Sequence, residues 1–428
     1  MNKIKAKKFT VVNETLIAAV DISKDKHTGY FRFPDGTDMK PFEFRNDGRG
    51  FNEFWSRAVK ARDRQGLREV VVGFESTGPY AEPFMHFLRS RGATVVQVNP
   101  MHTQKLKELT GNSPSKTDNK DPRVIADIMA LGHALTVIVP EGVAADLRRL
   151  TQARERSIKR RTALINQLQD LVFLIFPEFF QIIKNVKTKT VQYILKSYPT
   201  PEQIVECGIE KMTDTLKKVS RGKFGKERVK TLYEAAGTSC GIKEGQKGIL
   251  LEINEILASI EACNRFVEET EKEMSVCLKE IPYSSYILSI KGIGEITAAG
   301  VIGEVGDFSK FDTISEMEKL AGLDLFEISS GRQKGRRHIS KRGRPLLRKL
   351  LYFASINVVR KGGILHDWYQ AALKRGMPKM KALVAVSRKL LRIMFALVHK
   401  HSDYMVDYQK QSLKPACNDL IADHRMVA

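Results

Sequence analysis

The spacing of hydrophobic and polar residues predicts an α/β domain over residues 1–140. Short apolar runs alternate with segments of helical period, in the order strand, strand, strand, helix, strand, helix, strand, helix. The run at 70–74 is continuously apolar, which is typical of a buried central strand. The predicted strands are 16–22, 30–33, 41–44, 70–74 and 94–98, and the predicted helices are 50–62, 80–91 and 121–131.

Beyond residue 140 the period becomes helical. Two long amphipathic segments stand out, at 147–175 and 249–274, and small helices are expected between them over 180–245. The first segment has five more positive than negative charges, and the second has five more negative than positive. Opposite charges on two long helices predict an antiparallel coiled-coil hairpin. The basic run 154–161 therefore has two interpretations: it binds nucleic acid, or the acidic helix neutralises it.

Apolar stripes continue through the C-terminal third, so residues 286–401 are predicted to be all-helical. The predicted division is a metal domain over 1–140, a coiled-coil insertion over 141–285, a helical domain over 286–401 and a tail over 402–428.

Positive charge is concentrated in that third region. The chain has 428 residues and a formal net charge of +22, and residues 331–400 contain 19 Lys and Arg with a single acid, Asp367. A block of this kind indicates a polyanionic partner, most simply nucleic acid, and the alternative is a solvated basic face.

Other classes of protein are disfavoured by composition. The five cysteines are scattered without a CxxC pair, which argues against a zinc site or a disulfide framework and favours a reducing compartment. The longest apolar run, 171–176, is too short to span a bilayer, and the basic N-terminus lacks the apolar core of a signal peptide. We therefore expect a cytosolic location and no membrane partner.

Four acids have the pattern of a two-metal site. Asp21 ends the first strand, Glu75 ends the central strand, and Asp118 and Asp121 lie one helical turn apart. Four converging carboxylates can hold two Mg²⁺ ions for phosphoryl transfer. Each acid alone could equally cap a turn or a helix. The order of acids and strands resembles that of RNase H-like (RuvC-like) nucleases and resolvases.

A glycine turn follows the second long helix. Lys291, Gly292 and Gly294 surround Ile293 in a turn that resembles a helix-hairpin-helix element, whose backbone N–H groups can approach a phosphate. A plain glycine cap of a helix would look the same.

A serine lies directly before the basic block. Ser330 precedes Gly331 and could attack phosphorus, with neighbouring cations stabilising the developing charge, although a Ser-Gly pair is usually a turn. The candidate DNA-binding side chains that follow are Arg332, Lys334, Arg336, Arg337, Lys341, Arg342 and Arg344.

Together these motifs resemble one family over nearly the whole chain: the DEDD-type transposases of bacterial insertion sequences, which are related to Piv-type DNA invertases and are described as bridge-RNA-guided recombinases. The motifs are 20–27 (VDISKDKH), 75–80 (ESTGPY), 116–121 (KTDNKD), 292–294 (GIG), 304–308 (EVGDF), 321–323 (AGL), 330–331 (SG) and 339–343 (ISKRG).

The resemblance implies an activity and a set of partners. Asp21, Glu75, Asp118 and Asp121 would bind Mg²⁺, and Ser330 would form a phosphoserine link with DNA. The protein would act as a tetramer on donor and target DNA, and a structured non-coding RNA would select both by base pairing.

Two departures from the family pattern are visible. Pro122 follows Asp121 where alanine is common, and Leu325 replaces a usual proline. The neighbouring Ser329 is an alternative to Ser330 as nucleophile. Two other functions stay open: an RNase H-like Holliday-junction resolvase that uses metal-activated water, and a non-catalytic DNA-binding protein.

Overall fold

The computed structural model describes residues 14–75, 78–110, 121–133, 135–136, 140–327 and 337–405. These residues form two compact units. The first contains those up to residue 136 together with 310–316, and the second contains the remainder. Within the described residues, no helix combines the length and the apolar character that crossing a membrane requires.

The first unit is built on a six-stranded mixed sheet with the strand order β3-β2-β1-β4-β5-β6. The three central strands, β1, β4 and β5, are parallel to one another, whereas β2, β3 and β6 are antiparallel to their neighbours. The strands are β1 Thr15–Asp21, β2 Lys26–Arg32, β3 Phe42–Arg45, β4 Glu69–Glu75, β5 Thr94–Val98 and β6 Leu135–Thr136.

Helices cover both faces of this sheet. Successive side chains of a strand point to opposite faces, and in the central strands the side chains on both faces are apolar. Leu16, Ala18 and Val20 of β1 face one core, which is closed by α1 and α2. Ile17 and Ala19 face the other core, which is closed by α4. The helices are α1 Gly48–Arg64, α2 Glu82–Ser90, α3 Pro100–Thr110 and α4 Asp121–Ala130.

The predicted α/β order is confirmed for five strands and three helices. The sequence interpretation was wrong in leaving out α3 and the two-residue strand β6. Helix α3 is largely polar, so it lacks the apolar period on which the prediction relied.

In the second unit, two long helices lie side by side. They are α5 Val143–Ile175 and α11 Gln246–Lys279, and five short helices connect them. The pair is antiparallel, because Arg154, Arg161 and Gln167 contact residues of α11 that lie progressively earlier in the chain. The short helices are α6 Phe179–Ile182, α7 Lys189–Ser197, α8 Pro201–Cys207, α9 Ile209–Val219 and α10 Lys226–Gly237.

The remaining elements of the unit are not all helical, which corrects the all-helical prediction for 286–401. Strands β7 and β8 form an antiparallel pair on the two sides of residues 328–336. Their side chains are mostly exposed, so no alternation of apolar residues marks them. The elements that follow α11 along the chain are α12 Ser284–Leu288, α13 Glu295–Val305, α14 Ile314–Ala321, whose first three residues belong to the first unit, β7 Leu325–Glu327, β8 Arg337–Ile339, α15 Pro345–Val358, α16 His366–Lys374 and α17 Lys379–Lys400. The division at residue 285 stays a prediction.

A buried histidine holds the segment that follows β1. The Nδ1 atom of His27 accepts a hydrogen bond from the backbone N–H of Ser23, 3.2 Å away. The imidazole is fully buried among the rings of Phe44, Phe51 and Phe84. Burial lowers the pKa of His27 to about 4, so the ring is neutral near pH 7 and its Nδ1 can accept this bond.

His27 should make the first unit less stable in mild acid. The unfolded chain binds the proton near pH 6.5 and the folded chain only near pH 4, so protonation favours unfolding across that window. We expect the free energy of unfolding to fall by up to about 3 kcal/mol between pH 7 and pH 4 from this group. Urea titrations followed by Trp55 fluorescence in a Trp368→Phe background would measure it.

The pH dependence should be much flatter in His27→Phe, whereas His86→Gln, which changes an exposed histidine, should keep the wild-type dependence. An unchanged pH dependence in His27→Phe would contradict this assignment.

Candidate active site

Two of the four predicted acids lie side by side at the ends of neighbouring strands. Val20 of β1 pairs with Phe74 of the parallel strand β4, so Asp21 and Glu75 are the next residues of the two strands at the same edge. Both lie on the side of the sheet that faces α4, because they follow Ile17 and Ala19 on β1 and Val71 on β4 in the alternation. Both are partly exposed.

The third acid begins the helix that covers this face. Asp121 is the first residue of α4, and Pro122 occupies the next position, where its missing N–H costs no helical hydrogen bond. An ion pair between Arg32 of β2 and Asp127 fixes α4 on the sheet. Asp121 is therefore on the same side of the sheet as Asp21 and Glu75.

Helix α3 connects two of these carboxylates. The Thr103 hydroxyl lies 3.3 Å from Oε2 of Glu75, and the Lys107 ammonium lies 2.7 Å from Oδ1 of Asp121. Thr103 and Lys107 are one turn apart on one face of α3, where side chains lie about 6 Å from each other. The contacts thus bring Glu75 and Asp121 to the same helix face.

Carboxylate oxygens of this kind suit a hard divalent cation such as Mg²⁺. Asp21, Glu75 and Asp121 are the described residues that could contribute, and Asp118 lies outside the described residues. In the part of the chain that the structure describes, no three His, Cys, Asp or Glu side chains are close enough to form a metal cluster. The Mg²⁺ tetrad stays a prediction.

Sequence reasoning missed Thr103 and Lys107 because it missed α3. A usable signal was present. Asn99 precedes Pro100, and the Oδ1 atom of Asn99 accepts a hydrogen bond from the N–H of Met101 at 2.9 Å. An asparagine followed by proline is typical of a helix start.

The predicted glycine turn lies between two helices. Lys291, Gly292 and Gly294 connect α12 to α13 and are exposed. Gly292 has a φ of +101°, a conformation that favours glycine. Glu295, the first residue of α13, is also exposed and places a negative charge near the same backbone N–H groups. DNA binding by this turn stays a prediction.

The predicted nucleophile, Ser330, lies outside the described residues, as do Ser329, Arg332, Lys334 and Arg336. The backbone on both sides of this segment is held together. The Ser340 hydroxyl donates to the Asp324 carboxylate, and the Lys341 N–H donates to the Gly322 carbonyl at 3.0 Å. The Arg348 guanidinium donates to the Ala321 carbonyl at 2.9 Å.

Close packing of the backbone also fixes the junction between residues 320–324 and 340–343. A Cβ atom at Gly343 would lie 2.5 Å from the Gly322 nitrogen and the Leu320 carbonyl oxygen, so a larger residue requires the backbone to move. The start of β7 and the end of β8 are therefore joined by a closely packed junction.

The basic block separates into exposed cations and cations engaged within the protein. Arg337, Lys341 and Arg342 are exposed, and Arg337 also pairs with Glu327 at 3.0 Å. Arg344 differs from the other predicted DNA-binding residues, because its guanidinium donates to the Glu304 carbonyl. Burial, together with the nearby Arg148 charge, lowers the pKa of Arg344 to about 10, so it remains a cation at pH 7.

Two further arginines of the block neutralise a buried acid. Glu318 is 3% exposed, and its carboxylate accepts hydrogen bonds from Arg388 at 2.7 Å and Arg392 at 2.6 Å. Burial alone would raise the pKa of Glu318, but these two hydrogen bonds outweigh it and hold the pKa below its usual value. Part of the positive charge therefore stabilises the fold.

The structure supports, for part of the run 154–161, the interpretation that the acidic helix engages its cations. Arg154 pairs with Glu271 at 2.6 Å, and Arg161 donates to the Asn264 side chain at 2.6 Å, so α11 does engage these cations. Arg156, Lys159 and Arg160 are exposed on the same helix. Their role in binding nucleic acid is untested.

Two protein-family models match the parts of the chain that contain the predicted site residues. The IS110 model of DEDD transposases, described as "Transposase", matches residues 18–177, the range that includes all four predicted acids. A second model, described as "Transposase IS116/IS110/IS902 family", matches residues 284–370, which include Ser330 and much of the basic block.

Individual relatives match most of the chain. An uncharacterized 44.8 kDa protein of insertion element IS116 from Streptomyces clavuligerus is 25% identical over 79% of this chain and 84% of its own length. The transposase for insertion sequence element IS1111A from Coxiella burnetii is 24% identical over 79% and 80%. An uncharacterized 43.6 kDa protein of insertion element IS110 from Streptomyces coelicolor is 20% identical over 92% and 97%.

The two matched regions together cover more than half of the chain, and they contain the paired strand-end carboxylates at one end and the serine segment with its basic surroundings at the other. The chain belongs to the IS110 family of DEDD transposases, the transposases of bacterial insertion sequences.

Proposed function

We propose that this transposase cuts and rejoins DNA through a phosphoserine intermediate, with Mg²⁺ held by an acidic tetrad and a structured RNA that selects the DNA. The observation that carries the proposal is the in-register pairing of β1 with β4, which places Asp21 and Glu75 side by side on the face that α4 covers. Two neighbouring carboxylates at adjacent strand ends supply the kind of oxygen ligands that a hard divalent cation binds.

We infer that the first unit is of the RNase H-like (RuvC-like) type. The inference is supported by the strand order β3-β2-β1-β4-β5 with β2 antiparallel to β1 and with β1, β4 and β5 parallel. The order of the acids along the chain also supports it: Asp21 is on the first strand, Glu75 on the fourth, and Asp121 on the helix that covers them.

The donor set fits Mg²⁺, which prefers carboxylate oxygens. Asp21, Glu75, Asp118 and Asp121 would hold one or two ions. Bound there, Mg²⁺ would stabilise the negative charge that develops on a phosphodiester during strand cleavage. The role of the chain is to fix the carboxylates on rigid elements, which β1, β4 and α4 do.

Ser330 would supply the nucleophile. Its Oγ would form a bond to phosphorus while the bond from phosphorus to one deoxyribose oxygen breaks, and the serine proton would pass to that leaving oxygen. Attack by the hydroxyl of another strand would reverse these changes and release the serine. Each step exchanges one phosphodiester bond for another, so resealing needs no nucleotide cofactor.

We infer a coiled coil for α5 and α11. In α11 the residues Ile253, Ile256, Ile260, Cys263, Val267, Thr270 and Met274 are all buried and follow one another at alternating spacings of three and four. In α5, the positions that repeat with the same alternating spacings of three and four include Arg154 and Arg161. These are the two cations that α11 engages. Polar residues at such seam positions fix the register of a coiled coil at some cost in stability.

The family resemblance supports a tetramer in which the carboxylates of one subunit act with the serine of another. The same resemblance supports a structured non-coding RNA that pairs with donor and target DNA. The protein would then bind backbone and shape, and base pairing would choose the sequence.

The acids can be tested by substitution. Asp21→Asn and Glu75→Gln should reduce strand cleavage and joining by at least about a hundredfold, because each removes a negative charge that binds the cation. A plasmid that carries the gene with its natural flanking DNA provides the assay, read as excised and rejoined products. Asp25→Asn is the matched control, since Asp25 is exposed four residues after Asp21. Full activity in Asp21→Asn would refute the metal site.

The exposed cations near β8 should dominate DNA affinity. Changing Arg337, Lys341 and Arg342 together to Gln should weaken DNA binding and reduce the slope of log K against log salt concentration by about 2 to 3. Fluorescence anisotropy with a labelled duplex at several salt concentrations measures this slope.

The matched control removes the same charge from α5 by changing Arg156, Lys159 and Arg160 to Gln. We expect a smaller change in slope, because these cations lie on the helix pair. If the α5 variant lost more affinity, the DNA-binding surface would have to be reassigned to α5.

A further inference from the structure

A lysine forms an ion pair with one of the carboxylates that the proposed function assigns to Mg²⁺. The ammonium of Lys107 lies 2.7 Å from Oδ1 of Asp121, in contact distance for an ion pair. The Asp121 side chain is 17% exposed and the Lys107 side chain 39%, so water screens this pair only in part. An ammonium and a divalent cation repel each other, so the two cations compete for the negative charge of one carboxylate.

Lys107 is placed there by the fold. Helix α3 packs against α4, and Leu106 contributes to the core beneath α4. One turn earlier, Thr103 is 2% exposed and its hydroxyl lies 2.8 Å from the Pro100 carbonyl as well as 3.3 Å from Glu75. The contacts of Leu106 and Thr103 therefore fix the part of α3 that places Lys107 against Asp121.

We propose that Lys107 is a positioning residue of the acidic site, which holds Asp121 in place before a divalent cation binds and releases it when the cation enters. The proposal rests on the metal site of the proposed function. Its physical basis is competition between two cations for one anion, so Lys107 sets how much divalent cation the site needs.

Thr103 contacts the neighbouring carboxylate of the same acidic site, Glu75. Its single hydroxyl proton has two acceptors, and the Pro100 carbonyl is the closer of them. Thr103 therefore offers Glu75 a neutral hydrogen-bond donor, whereas Lys107 places a positive charge against Asp121.

Competition predicts an effect that a purely structural lysine could not produce. Removing the ammonium should tighten the binding of divalent cations, since the cation no longer has to displace it. Binding of Mn²⁺ to the full-length protein, measured from the loss of the free-ion signal in electron paramagnetic resonance, provides a readout independent of activity. We expect Lys107→Met to lower the dissociation constant roughly three- to tenfold.

Three variants complete the design. Lys107→Arg keeps the charge and should bind Mn²⁺ close to the wild-type affinity. Lys105→Met removes an exposed lysine from another face of α3 and should also match wild type. Asp121→Asn should weaken binding, because it removes the carboxylate for which the cations compete.

The outcomes separate this inference from the function on which it rests. If wild type binds Mn²⁺ and Asp121→Asn weakens binding, but Lys107→Met binds no more tightly than wild type, Lys107 is not a competitor and the inference fails alone. If no variant binds Mn²⁺, the metal site and the inference fail together. Tighter binding in both Lys107→Met and Lys105→Met would also overturn it, because a general charge effect would then explain the change.

Discussion

The candidate active site depends on the parallel, in-register pairing of β1 with β4. The pairing of Val20 with Phe74 puts Asp21 beside Glu75, and the alternation of side chains sends both to the face that α4 covers. A slip of one residue in either strand would move one carboxylate to the opposite face. The apolar side chains that fix this register are fully buried on both faces, so the cores of the sheet determine where the acids lie.

Charge in the second unit serves two purposes. Some cations are bound by the protein itself: Arg388 and Arg392 by Glu318, Arg344 by the Glu304 carbonyl, and Arg348 by the Ala321 carbonyl. Others, such as Lys341 and Arg342, remain exposed. A buried acid that loses its arginine partners is expected to cost about 3 kcal/mol or more, so the engaged arginines are needed for folding. The net charge of the block therefore overstates the part available to DNA.

The sequence predicted those elements that an apolar period marks. Strands β1 and β4 and helices α1, α5 and α11 were predicted because their buried residues repeat at regular spacing. Helix α3 was not, because its role is polar: it carries Thr103 to Glu75 and Lys107 to Asp121. Strands β7 and β8 were missed because exposed strands need no alternation.

Hydrogen bonds and ion pairs between residues that are distant in the chain also could not be predicted from the sequence. Arg344 and Arg337 look alike in a basic run, yet one donates to Glu304 and the other is exposed. Only the fold distinguishes them, because their partners lie on separate elements. The motifs of the family, in contrast, could be read directly, since each depends on neighbouring residues.

The proposed phosphoserine chemistry requires that Ser330 becomes covalently attached to DNA. The most direct measurement is to trap the wild-type protein on DNA during the reaction, digest it and identify the modified peptide by mass spectrometry. We expect a nucleotide attached to Ser330, and we expect the adduct to be lost in Ser330→Ala but retained in Ser329→Ala. Cleaved DNA without any protein adduct, formed equally well by Ser330→Ala, would contradict the claim and indicate a nuclease that uses water.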